Sequence, residues 1–259
     1  DQFTRTASLG CALEKIRIKN LDILGDEPFS VGLFVGKRVS YNKIKDAKDD
    51  FLMLQESPSS EHLFVLKECP DCGTGLFPRK AEYDDSDGQL KGLGVSVGIN
   101  SVTYKCQNKN CLFHDKLNIP VKVVDQEIYE NPPSFILGTI DKFALLPWYS
   151  DAGKIFGSRG DNKHTVPPSL IIQDEIHLIS GPLGTISAIY EAAFDTLIRK
   201  LQKNIGVNPT GPKYIASSAT VRDSEKQLIR LLGRDSRIFP PRGLRISDSF
   251  FANTDENPD

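Results

Sequence analysis

The sequence predicts an α/β fold: a parallel sheet with helices on both faces, carrying a small inserted β module built on cysteines. Three observations predict it. Short apolar runs recur at residues 29–35, 135–138, 170–172 and 214–216, the form taken by strands buried on both faces. Stretches with apolar residues three and four apart lie between them, so strand and helix patterns alternate as in a parallel sheet. Two close cysteine pairs, Cys69/Cys72 and Cys106/Cys111, fall within one segment of strand-like alternation.

Residues 2–18 place Leu9, Leu13 and Ile16 at helical spacing, with Cys11 in the same helix as a small buried hydrophobe. The strand at 29–35 ends in Gly36-Lys37-Arg38, which invites comparison with a phosphate loop. That loop requires Gly-x-x-x-x-Gly-Lys-Ser/Thr, so that backbone N–H groups cradle phosphates and a hydroxyl reaches Mg²⁺. Gly32 and Gly36 are one residue too close, Arg38 replaces the hydroxyl, and no other stretch of the chain fits. Residues 40–55 return to helical character, with Ile44, Ala47, Phe51 and Leu54 on one side and Lys43, Lys45, Asp49 and Asp50 on the other. Residues 57–60, Ser-Pro-Ser-Ser, form a loop and a module boundary.

Cys69-Pro-Asp-Cys72 precedes Cys106-Gln-Asn-Lys-Asn-Cys111 by 106 − 72 − 1 = 33 residues. Two such knuckles suit the ends of a pair of hairpins, and four thiolates complete a tetrahedral zinc site with no open position, the structural kind. A redox Cys-x-x-Cys, the rival reading, has no need of the second pair. His114 is a spare ligand candidate beside the default of a surface histidine. Residues 95–104 alternate as a strand does, and 84–88 is a solvated turn. Arg79, Lys80, Lys105, Lys109 and Lys116 are too sparse to announce a nucleic-acid face. A module this small has little core of its own, so metal binding supplies much of its stability.

Residues 132–144 read as a strand ending at Gly138, with Thr139 capping a helix whose N-terminus suits a phosphate oxygen. The pattern is common to many βα turns. Residues 150–168 read as a mobile loop. The run 170–172 then delivers Asp174 and Glu175, with His177 two residues on. Carboxylates there lie where open α/β sheets bind ligands, and two adjacent acids suit a Mg²⁺ ion that keeps several waters. The plainer alternative is an acidic loop after a core strand. Gly181-Pro182 opens a helix to about Lys203, with Leu183, Ile186, Ile189, Tyr190, Ala193, Phe194, Leu197 and Leu201 as its apolar stripe. The strand at 214–216 ends in Ser217-Ser218-Ala219-Thr220, hydroxyls able to bond carboxylates on a neighbouring strand. Residues 224–232 form a last helix, and 246–259 trail off as a polar tail.

The 259 residues carry a net charge of −2, so any nucleic-acid contact must come from a local patch. No apolar run approaches the ~20 residues that span a bilayer, so no membrane partner is expected. Five cysteines, an odd number, with no secretory signal argue for a reducing cytoplasm. A start at Asp1 without an initiator Met reads as a piece of a longer protein.

Gly-Thr-Ile-Asp-Lys-Phe (138–143), Gln-Asp-Glu-Ile-His (173–177) and Ser-Ala-Thr (218–220), in this order and βα context, resemble motifs Ib, II (a DExH box) and III of superfamily-2 helicases. The longer phrases around 138–144, 172–185 and 238–252, and Val31-Gly-Leu-Phe-Val-Gly, look like the helicase-like subunit of the DISARM phage-defence system. The resemblance implies a partial RecA-like (P-loop NTPase) fold from an ATP-dependent DNA helicase or translocase that works with other defence subunits. Carried over, it implies that Asp174 binds the Mg²⁺ of MgATP, Glu175 activates the attacking water, and His177 and Gln173 link the nucleotide site to the motor. Ser218 and Thr220 would couple that site to nucleic acid, and Gly138, Thr139 and Lys142 would lie against the DNA backbone.

The expected organisation is residues 1–58 and 126–246 as two parts of the RecA-like domain, 59–125 as the zinc-ribbon-like insertion, and 247–259 as a linker toward a second motor domain. The family's phosphate loop precedes motif II and is missing here, so the chain is expected to be inactive alone and its sheet to have an edge in need of cover. The alternative is a non-catalytic zinc-ribbon module that binds DNA or protein. A metal-dependent hydrolase using Asp174, Glu175 and His177 as ligands is disfavoured, because neighbours leaving one strand end rarely converge on one ion.

Overall fold

The computed structural model describes residues 1–57, 60–78, 92–159, 164–179, 181–218 and 224–239. Thr220, the 84–88 turn and the 246–259 tail lie outside them. The chain divides into two compact units, Asp1–Thr165 and Val166–Asp259.

The first unit is built on a three-stranded parallel sheet. Its order is β4 (Val121–Lys122), β1 (Val31–Phe34), β5 (Phe135–Gly138). Val31 stands opposite both Val121 and Phe135, and Phe34 opposite Gly138. All four β1 residues are buried, as a central parallel strand requires. Gly138 has no alternative: a Cβ there would lie 2.7 Å from the Phe34 carbonyl oxygen and 2.7 Å from the Phe143 ring.

Helix α1 (Gln2–Arg17) packs on this sheet with a face the apolar spacing did not select. It buries Phe3, Ala7, Gly10, Cys11, Glu14 and Arg17 and leaves Leu9 and Ile16 exposed. Small residues decide the matter. A Cβ at Gly10 would come within 2.9 Å of Val31 Cγ2, so this face approaches the sheet more closely than a leucine face could. The buried Glu14–Arg17 pair is fully engaged: Arg17 also donates to the Gly25 and Asp26 carbonyls, and the Phe29 amide donates to Glu14. The short helix α2 (Leu21–Leu24) follows, and α3 (Ile44–Glu56) buries Ile44, Ala47 and Leu54 as its pattern predicts.

The antiparallel hairpin β2 (Val95–Val97) and β3 (Val102–Tyr104) matches the alternation at 95–104. Its buried residues join those of α1, β1 and α3 and the cysteines in one continuous core. After β4 come α4 (Asp125–Glu130), β5, α5 (Ile140–Ala144), a 3₁₀ turn at Leu146–Trp148 and α6 (Ala152–Ile155). The last of these corrects the loop expected at 150–168, since Ala152, Ile155 and Phe156 are buried. That segment has too few residues to show a helical period, so only packing reveals it.

The second unit pairs β6 (Leu170–Gln173) with β7 (Lys213–Ala216) in parallel, Gln173 opposite Ala216. Helices α7 (Gly181–Asn204) and α8 (Ser224–Leu232) have the predicted bounds. The buried face of α7 meets the predicted stripe only at Leu201. Ser187, Glu191, Ile198, Leu201 and Gln202 are buried, whereas Leu183, Ile186 and Ile189 are exposed. A hydrogen bond from Gln173 to Glu191 turns the polar side of α7 toward β6. Leu170, Ile172 and Ile215 are exposed as well.

Candidate functional site

The thiol cluster lies in the first unit. The loop around Cys69 and Cys72 is closed by the Cys69 amide donating to the Thr74 carbonyl (2.8 Å) and the Gly73 amide to the Cys69 carbonyl (2.9 Å), with Gly73 at φ 73°. The second knuckle is closed by the Cys111 amide donating to the Asn108 carbonyl (2.9 Å) and the Cys106 amide to the Phe113 carbonyl (2.8 Å). Cys69 and Cys111 sulfurs are 4.0 Å apart and those of Cys72 and Cys106 3.4 Å. All four lie within 4.8 Å of one another. Tetrahedral Zn–S bonds of ~2.3 Å place sulfurs ~3.8 Å apart, so Cys69, Cys72, Cys106 and Cys111 fit a metal ion such as zinc with little adjustment.

Burial pushes the Cys69 thiol up to about 11. At Cys72 burial opposes the charge, but bonds from the Thr74 hydroxyl and amide and from the other thiols outweigh it and bring the thiol to about 6. His114 is not a ligand: its Nδ1 lies 2.6 Å from the Cys106 carbonyl oxygen. Helix α1 braces the first knuckle. The Ser8 hydroxyl donates to the Pro70 carbonyl at 2.8 Å, and Lys15 pairs with Asp71. No sequence pattern announced these ties, because they join residues more than fifty positions apart.

The acidic strand end lies in the second unit. Asp174 and Glu175 follow the carboxyl end of β6 and are exposed, and Ser217 follows that of β7. The two ends are stitched together: the Ser217 amide donates to the Gln173 carbonyl and the Ile176 amide to the Ser217 carbonyl, each at 2.9 Å. The Ser217 hydroxyl donates to Asp174 Oδ1, and the Glu175 amide reaches Asp174 Oδ1 at 3.1 Å and Ser217 Oγ at 3.3 Å. Glu175 has φ 53° and ψ 43°, and among the described residues it is the one non-glycine with positive φ. Such a turn buries Ile176 while both carboxylates stay in solvent. His177 Nδ1 is 3.2 Å from Glu175 Oε2. Among the described residues these three do not form a metal-holding group, whereas the four cysteines do.

Of the remaining candidates, Gln173 is committed to Glu191 at 2.5 Å, and Ser218 is half-buried beside Ser217. Ser217, one residue before the motif, puts its hydroxyl on Asp174. It is among the small hydroxyls expected at this strand end and lies outside the Ser-Ala-Thr motif. Gly138 and Thr139 are exposed at the end of β5, where Thr139 begins α5 with its side chain making no capping bond. Lys142 does not present its ammonium to solvent as a DNA contact must. It is buried, paired with Asp125, and 5.0 Å from the centre of the Phe34 ring. Asp125 carried no sequence signal, since its partner lies 17 residues away. Lys37 and Arg38, three and four residues after the end of β1, are exposed.

No family model matches the chain. It is similar to the DISARM protein DrmA of Bacillus paralicheniformis, 35% identical over 292 aligned positions that cover 99% of the chain. The resemblance drawn from the motif phrases is thus borne out along nearly the whole chain. The chain spans about a quarter (25%) of the length of that curated relative.

Proposed function

We propose that the chain is part of an ATP-driven DNA helicase or translocase of a bacterial phage-defence system, with a partial RecA-like fold and a zinc-ribbon-like insertion at 59–125. The observation that carries this reading is the pair of acids at the carboxyl end of two parallel strands, with a hydroxyl from the second strand on the first acid. In that reading Asp174 holds the Mg²⁺ of MgATP, and Ser217 fixes the carboxylate that does so. Glu175 orients and deprotonates the attacking water, with His177 against its carboxylate. Ser218 and Thr220 transmit the state of the site, and the exposed end of β5 at Gly138 and Thr139 meets the DNA backbone. Lys142 acts instead as the buried counter-charge of Asp125. Phosphoryl transfer is accelerated by positioning and charge more than by covalent chemistry, and these groups supply part of both.

No phosphate loop is present in the 259 residues, so the chain by itself hydrolyses no ATP in this account. The zinc is a scaffold, other defence subunits are partners, and the cytoplasm is the compartment. No helix among the described residues is long and apolar enough to cross a membrane.

The test is a fluorescent-ATP titration of the full-length protein with and without Mg²⁺. Asp174→Ala is expected to abolish the magnesium-dependent gain in affinity. Unchanged magnesium dependence in that variant would remove Asp174 from the site. DNA binding indifferent to nucleotide, with no nucleotide binding at all, would favour the non-catalytic zinc-ribbon module.

A further inference from the structure

Behind the acidic strand end lies a buried polar cluster that the chemistry above does not use. Glu191 of α7, 9% exposed, accepts a hydrogen bond from Gln173 Nε2 at 2.5 Å. The other two oxygens of this pair, Gln173 Oε1 and Glu191 Oε2, are buried and have no hydrogen-bond partner among the described residues. Tyr214 of β7 has a buried hydroxyl that makes no hydrogen bond among the described residues yet lies near enough to Glu191 to favour its charged form.

A charged Glu191 makes this arrangement costly. Both orphan oxygens would then be acceptors only, each forfeiting about 1–3 kcal/mol and the charged one more. No cation pairs with Glu191 among the described residues. Asp195, one turn along α7, takes Arg199 (2.7 Å) and Arg234. Those guanidiniums also donate to the Pro209 and Pro212 carbonyls. A carboxylic acid removes the conflict, because an acid offers O–H beside C=O where an amide offers C=O beside N–H.

We infer that Glu191 is kept as the neutral acid, its O–H donating to Gln173 Oε1 while Gln173 Nε2–H donates to Glu191 Oε1, and that this ring pins the end of β6, and with it Asp174, to α7. Burial, the largest influence, drives the Glu191 carboxyl above its ordinary value. The nearby Tyr214 and Gln173 oppose that shift and Asp195 reinforces it. Glu191 is thereby a positioning residue for the strand end and touches no reacting atom. The ring stands on the packing of the second unit alone, so it survives even if no nucleotide binds at Asp174.

A group whose folded pKa is raised contributes stability that is complete below its unfolded value and is lost as pH rises through the folded one. Amide hydrogen exchange of β6 and β7, corrected for intrinsic rate, reads this without nucleotide in the full-length protein. Glu191→Gln, which keeps one donor and one acceptor, is expected to protect β6 and β7 at pH 6 at least as well as wild type does. Its advantage over wild type should grow as pH rises from 6 toward 8.5, by no more than about tenfold per pH unit. Glu191→Ala should exchange faster at both pH values, and Tyr214→Phe should follow wild type. If Glu191→Gln instead loses protection at pH 6 as fully as Glu191→Ala, the carboxylate is charged and the inference fails. If Tyr214→Phe reproduces that loss, Tyr214 is its donor and the inference fails equally.

Discussion

Glu175 occupies the left-handed region of backbone space although it carries a side chain. That conformation costs a residue with a Cβ roughly 1–2 kcal/mol, and such strain is retained where neighbouring contacts over-determine it. Here the contacts are the Ser217 stitches, and the result is a carboxylate displayed beside Asp174. Glu175→Gly is therefore expected to make the second unit more stable, by up to about 1 kcal/mol after glycine's own entropic cost, while abolishing ATP turnover. Urea melts followed by exchange in β6 check the first half, and a destabilised Glu175→Gly would show that no strain is stored there. The acids themselves were legible in the sequence, since two adjacent carboxylates after an apolar run are a local pattern. Neither the turn at Glu175 nor the bond from Ser217 to Asp174 was legible, because both depend on register between strands some forty residues apart. Lys142 shows the same limit: a motif gives the residue type, and burial against Asp125 decides what the charge can reach.

Among the elements, the thiol module and α1 behave as one piece. Their side chains share a continuous core, and α1 touches the first knuckle through Ser8 and Lys15. Metal removal should consequently reach beyond the module. With a strong chelator, release of one zinc per chain is expected, together with faster exchange in β2, β3 and α1 while β6 and β7 keep their protection. Cys106→Ser should do the same without chelator. Retained protection in α1 after zinc loss would mean that the helix needs no brace from the metal. Strand and helix positions here were largely readable, because apolar runs and helical spacing are local signals. Their faces were not. In α1 the closer approach of Ala7, Gly10 and Cys11 wins over Leu9 and Ile16, and in α7 a hydrogen bond at Glu191 wins over Ile186 and Ile189. Periodicity locates an apolar stripe but does not know what the opposite stripe can touch.

At the scale of the molecule, each unit carries one site: thiols that suit a structural metal in the first, paired acids at a parallel strand end in the second. The similarity to a DISARM protein runs through both units. A motor must make hydrolysis at the acids depend on the DNA, and that dependence is the central claim. The most direct measurement is DNA-stimulated ATP hydrolysis by the full-length protein, wild type against Glu175→Gln. Loss of a base that activates water typically costs 10²–10⁴ in rate. The account predicts a DNA-stimulated rate that falls by about a hundredfold or more in the variant while nucleotide binding persists. An equal rate in the two proteins, or no DNA-stimulated hydrolysis in the wild type, would contradict it.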